Sequence, residues 1–176
     1  MIRVLNVPGL WNSGPKHWQS QWEAADPSIL RVQQRDWDHP QRGEWVAAIE
    51  GAVLSAGPGV VLAAHSLGCS AVAFWARETR LEIRGALLVA PSDSEAEDYP
   101  KEPIGFRPMP LWPLPFPSIT VASSNDAYVS LERARAFASA WKSEFVVAGA
   151  LGHLNSDSDL GMWPQGRALL ERLLAA

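Results

Sequence analysis

Cysteine is almost missing from these 176 residues: Cys69 stands alone. One thiol makes no intrachain disulfide and excludes a cysteine-built zinc cluster. Long apolar runs are missing too, so no stretch approaches the length that spans a bilayer. Met1 to Trp11 has a lone Arg3 and a short apolar stretch broken by Asn6, Pro8 and Gly9, unlike a secretory signal. There is no basic excess. Lys plus Arg is 15 against 19 Asp plus Glu, a net charge of −4, which leaves no electrostatic footprint for nucleic acid or anionic lipid. Charged residues make up only 19% and hydrophobic ones 47%, the balance of a folded chain rather than a disordered one. The expectation is one domain over residues 1–176 in the cytoplasm, with no nucleic-acid or membrane partner.

What is plentiful is tryptophan and proline, nine and 14 residues. Hydrophobic patterning alternates between two periods. Ile2 to Val7 is β-rich and stops at Pro8-Gly9, and Ile29 to Val32 reads as a second short strand. Gly59 to Ala64 and Gly85 to Ala90 are continuous apolar runs, as expected of strands covered on both faces. Ser118 to Ala122 and Glu144 to Val147 complete the strands, the last as an edge. Between them the spacing predicts helices over His17 to Ala25, Glu44 to Ala56, Leu67 to Thr79, Leu131 to Trp141 and Pro164 to Ala175. Strand and helix in alternation argue for a doubly wound parallel α/β sheet of six strands.

Three strand ends carry chemistry. Gly59 to Gly68 reads GVVLAAHSLG, a buried strand running into His65-Ser66-Leu67-Gly68 and then a helix. This matches the Gly-x-Ser-x-Gly nucleophile elbow with Ala64 at its first position. Small residues two places either side of Ser66 suit a close strand–helix crossing. A plain strand-to-helix turn with Ser66 as helix N-cap would give the same five residues. A serine nucleophile also needs a general base, and the base an orienting carboxylate. Asp126 lies just past the strand Ser118 to Ala122, and His153 follows the strand Glu144 to Val147 among glycines. The order Ser, Asp, His is that of this elbow's fold type. Asp93, after the strand Gly85 to Ala90, competes for the carboxylate role. His17 and His39 read as packing or hydrogen-bonding histidines, and the ring of His65 is expected to turn away from Ser66. Cys69 reads as a buried, inert thiol.

An oxyanion hole needs two backbone donors. The amide of Leu67 opens a helix beside Ser66. The second is expected from Leu10, in the loop Pro8 to Gly14 after the first strand. With strand order 2-1-3-4-5-6, that loop stands at the switch point where open α/β sheets form their crevice. The loop lacks the Gly-Lys-Ser ending of a phosphate loop. Ser92 to Pro117 is long and irregular, and Pro100 to Pro117 holds seven of the 14 prolines. It is expected to wall an acyl pocket, with Pro108 to Phe116 setting substrate preference more than stability. Gly9, Trp11 and Trp112 are the residues expected at the substrate.

These residues resemble a known family. VPG at Val7 to Gly9, HWQSQW at His17 to Trp22, RDWDHP at Arg35 to Pro40, AHSLGC at Ala64 to Cys69 and VAPSD at Val89 to Asp93 are part of the likeness. SSNDAYVS at Ser123 to Ser130, GHLN at Gly152 to Asn155 and WPQG at Trp163 to Gly166 continue it. Together they are similar to the small single-domain serine hydrolases related to the retinoblastoma-binding serine hydrolase, a compact α/β-hydrolase group. The resemblance implies a minimal α/β-hydrolase core with no separate cap domain. It also implies a triad on Ser66, Asp126 and His153, esterase-like or amidase-like activity on a small molecule, and neither cofactor nor metal.

The reading is therefore hydrolysis of an ester, thioester or amide through an acyl-enzyme. Two rivals use the same core. One is a protein-binding module whose exposed tryptophans, Trp112 or Trp163, form the patch. The other is acyl transfer to an acceptor other than water.

Overall fold

The computed structural model describes residues 1 and 3–176. Ile2, expected in the first strand, lies outside the described residues. Six strands form one sheet: β1 (Val4–Val7), β2 (Ile29–Arg31), β3 (Val61–His65), β4 (Gly85–Val89), β5 (Ser118–Ala122) and β6 (Glu144–Val147). Their order is β2-β1-β3-β4-β5-β6 and every pair is parallel. Among the described residues five α-helices alternate with them: α1 (Trp18–Ala25), α2 (Arg42–Ala56), α3 (Leu67–Glu78), α4 (Leu131–Trp141) and α5 (Pro164–Ala175), with a short 3-10 turn at Ser156–Ser158.

Strand side chains alternate between two cores, as a pleat requires. Leu5, Val7, Leu62, Ala64, Ala86 and Leu88 face α2, α3 and α4. Val4, Val61, Ala63, Leu87, Val89, Ile119 and Val121 face α1 and α5. Tryptophan fills both layers. Trp45, Trp75 and Trp141 pack on one side; Trp18, Trp22 and Trp163 pack on the other. Trp163, one of the two patch residues offered by the binding-module rival, is 2% exposed and stacks on Trp22 with ring centroids 6.3 Å apart. Gly166 makes that burial achievable, because a Cβ there would fall 2.0 Å from the Trp163 ring.

The segment Ser92 to Pro117 divides in function along its length. Its second part is core. Phe106, Met109 and Leu114 are buried with α3 and α4, the Trp141 indole N–H donates to Pro110 O (2.7 Å), and Leu114 N–H donates to Trp141 O (3.1 Å). This corrects the expectation that Pro108 to Phe116 acts mainly on preference. Trp112 is also not where it was expected. Its indole N–H donates to Ala73 O on α3 (3.0 Å), and the Arg77 guanidinium lies 4.5 Å from its ring. Among the described residues no helix is long and apolar enough to cross a membrane.

Candidate active site

Parallel strands point all their C-terminal ends to one rim, and the connections after β1, β3, β4, β5 and β6 meet there. The turn from β3 to α3 is a single residue, Ser66, at φ 54° and ψ −122°. That left-handed backbone is strained for a residue with a Cβ, and such strain persists only where the surroundings enforce it. Here they do. Ser66 N–H donates to Val89 O (2.9 Å) and Cys69 N–H returns to Ser66 O (3.0 Å). Gly68 then passes so close to β1 that an added Cβ would sit 2.2 Å from Val7 O. The small residue two places after the serine is thus a steric requirement, while Ala64 is accommodated fully buried.

Ser66, His153 and Asp126 come together at this rim. Ser66 Oγ lies 2.9 Å from His153 Nε2, and His153 Nδ1 lies 2.9 and 2.8 Å from the two Asp126 carboxylate oxygens. A carboxylate only accepts, so Nδ1 carries the proton and Nε2 is left to accept from the serine hydroxyl. The Asp126 side chain is fully buried and that of His153 is 10% exposed. Tyr128 N–H also donates to Asp126 Oδ1 (2.8 Å). Asp93, the rival carboxylate, is instead held by Arg133 at 2.7 and 3.0 Å.

The His153 loop is tied down by side chains that the sequence did not single out individually. Ser123 Oγ accepts from Leu151 N–H (2.8 Å), and Asn125 Oδ1 accepts from Gly152 N–H (2.7 Å) and Ser123 O–H (2.9 Å). Both belong to the SSND run, whose polar density after a strand was the available signal. Gly152 at φ 61° supplies a turn that a side chain would resist. His65 adds a third tie. Its Nε2–H donates to His153 O (2.9 Å), and the two rings lie 4.9 Å apart. So His65 lies against His153, with its ring's N–H on the backbone of the His153 loop.

Behind His65 sits His17, ring to ring at 4.6 Å. His17 caps α1 by accepting Gln19 N–H at Nδ1 (3.2 Å), which leaves its proton on Nε2. Burial, with Arg31 and His153 nearby, pushes its pKa down to about 3. Burial holds His65 well below the ordinary histidine range for the same main reason. Both are neutral supports. Cys69 is buried with its thiol pushed up by desolvation.

The loop after β1 lies on the other side of Ser66. A Cβ on Gly9 would come 2.9 Å from Ser66 Cβ and 3.2 Å from Leu67 N. Only glycine lets these two turns touch. Arg31 fixes the loop by donating to Asn12 Oδ1 and Ser13 O, both at 2.9 Å, while Glu23 neutralises it at 2.8 Å. Leu10 N–H, in the turn, has no protein acceptor among the described residues. Trp11 stands 57% exposed.

These loops enclose a cavity of about 300 Å³. Leu10, Trp11, Leu67, Tyr99, Pro103 and His153 are among the residues around it, with Ser66 in its wall. Ser92 to Pro103 thus walls the cavity, while Trp112 does not reach it. Among the described residues, no group of three or more His, Cys, Asp or Glu side chains converges as a metal site.

The serine hydrolase family profile matches residues 4–172. No curated protein matches the sequence. A YdeN-like hydrolase from Pectobacterium atrosepticum is 32% identical with TM-score 0.87, over 99% of this chain and 91% of that one. The ydeN gene product of B. subtilis superposes with TM-score 0.75 at 15% identity, over 100% of both chains. Est1E from Butyrivibrio proteoclasticus, solved with ferulic acid, gives TM-score 0.72 at 13% identity over 100% and 90%. The last two are likenesses of fold. A family profile spanning nearly the whole sequence goes further: the chain belongs to the serine hydrolase family.

Proposed function

We propose that this protein cleaves a small ester, thioester or amide through an acyl-enzyme on Ser66, as a single domain over residues 1–176. The observation that carries the reading is the unbroken line from Ser66 Oγ through the His153 ring to Asp126, each link 2.9 Å or less. His153 Nε2 takes the Ser66 proton as Oγ bonds to the substrate carbonyl carbon. Asp126 holds the tautomer and stabilises the imidazolium. The carbonyl oxygen becomes an oxyanion, for which the N–H groups of Leu10 and Leu67 are the donors. The bond to the leaving atom then breaks, and that atom takes the proton from His153 Nε2. Water repeats the cycle on the acyl-serine, yielding the acid and free Ser66. Trp11, which lines the cavity, would touch the substrate, while Gly9, outside the lining, lets its loop close on the Ser66 turn.

A fluorophosphonate probe tests this, because it reacts only with an activated serine. Wild type labels at Ser66, and Ser66→Ala and His153→Ala do not. Wild type that stays unlabelled sinks the reading.

A further inference from the structure

His153 stands between two depressions. Ser66 lines only the cavity already described. A second, more open depression of about 410 Å³ adjoins it, and the two share Tyr128, His153, Asn155 and Asp157. The remaining walls of the second include Asn125, Ala127 and Leu151. An acyl-enzyme divides the two chemically. The acyl group stays on Ser66, while the leaving atom must reach His153 Nε2 for its proton.

Resting on the acyl-enzyme reading, we infer that the second depression receives the leaving group, and that this group carries an ammonium. Tyr128 and Asp157 supply the recognition. The Tyr128 ring packs on His153 with centroids 4.5 Å apart, yet the residue is 45% exposed. A protein that buries six tryptophans almost completely leaves this ring open at the mouth of its site. Asp157 lines both depressions, and its carboxylate has no cationic partner among the described residues.

Among the described residues, no lysine or arginine lines either depression. Two guanidinium groups that reach residues of the first cavity, Arg133 from α4 and Arg107 from the long connection, are already engaged. Arg133 is spent on Asp93 and Glu95, and Arg107 lies 5.1 Å from the Tyr99 ring. An aromatic ring and a carboxylate lining one depression both attract an ammonium. An anionic leaving group would meet Asp157 with nothing to neutralise it. In the reaction the C–O bond of the ester breaks, the proton passes from His153 Nε2 to that oxygen, and an ammonium alcohol departs.

Acetate esters of choline and of 3,3-dimethylbutan-1-ol, its uncharged carbon isostere, form the test. Wild type should favour the choline ester in kcat/KM by about tenfold. Asp157→Asn should cut that ratio about threefold and Asp157→Lys should invert it, with thermal melts confirming that both variants fold. Free choline should also slow fluorophosphonate labelling of Ser66, and the neutral alcohol should not; this arm needs no turnover. Labelling unaffected by choline, or a preference indifferent to Asp157→Lys, overturns the proposal and leaves the hydrolase reading standing. Wild type that labels under no condition overturns the hydrolase reading itself.

Discussion

Two kinds of connection leave the C-terminal rim of the sheet. Those bearing Ser66 and Asp126 are short, the one bearing His153 is longer, and all three are held by a series of backbone and side-chain hydrogen bonds. The connection from Ser92 to Pro117 is long, and it splits into a cavity wall and a plug of Phe106, Met109 and Leu114 in the core. The difference shows how tolerance is distributed. Proton transfer needs heavy atoms within hydrogen-bond reach, so those loops cannot drift. A pocket wall has only to fit its occupant, so it hangs from a segment anchored elsewhere.

The comparison can be broken most forcefully at the rim. Ser66→Ala or His153→Ala should lower turnover at least a thousandfold while leaving the fold intact, as read by ester hydrolysis and melting temperature together. A smaller loss would mean that the three side chains do not act as one unit. Gly68→Ala attacks the same turn sterically. Its Cβ would overlap Val7 O, so the variant should lose about 4 kcal/mol or more in urea denaturation.

In the long segment the two halves should separate. Phe106→Ala removes a buried ring and should cost about 3–5 kcal/mol, with the ranking of ester substrates unchanged. Ala96→Leu, in the cavity wall, should do the reverse, shortening the preferred acyl chain while the melting temperature moves only slightly. Equal effects of both on both readouts would erase the division.

Acid probes the supports of the rim. His17 and His65 are neutral when folded and take up protons readily once unfolded. Stability is therefore complete above about pH 6.5, the unfolded value, and is lost as pH falls toward 3. The slope should reach about 2.7 kcal/mol per pH unit while both contribute. His17→Asn retains an N-cap acceptor and should halve that slope in denaturation series at pH 7.5 and 5.5.

Much of the fold and of the site is legible in the residues themselves. Continuous apolar runs such as Val60 to Ala64 and Gly85 to Val89 identify strands covered on both faces, and that pattern dictates helices on either side. The positions of Ser66, Asp126 and His153 stand out because each follows a strand directly, and parallel strands bring all their ends to one rim. Trp163 and Trp112 escape such reading for one reason. Burial of an indole depends on what lies opposite it, and the space beside Gly166 or the carbonyl of Ala73 has no signature in the local pattern.

Local periodicity and strand-end chemistry are written in neighbouring residues, so the order of elements and the candidate trio followed from the chain alone. Contacts between residues far apart carry no such local record. The donation from His65 to the His153 carbonyl spans 88 positions, Arg31 clasps a loop 18 positions away, and the proline-rich segment parts into wall and plug only once α3 and α4 are in place. Those features exist because close packing selects among conformations that sequence proximity leaves equally open.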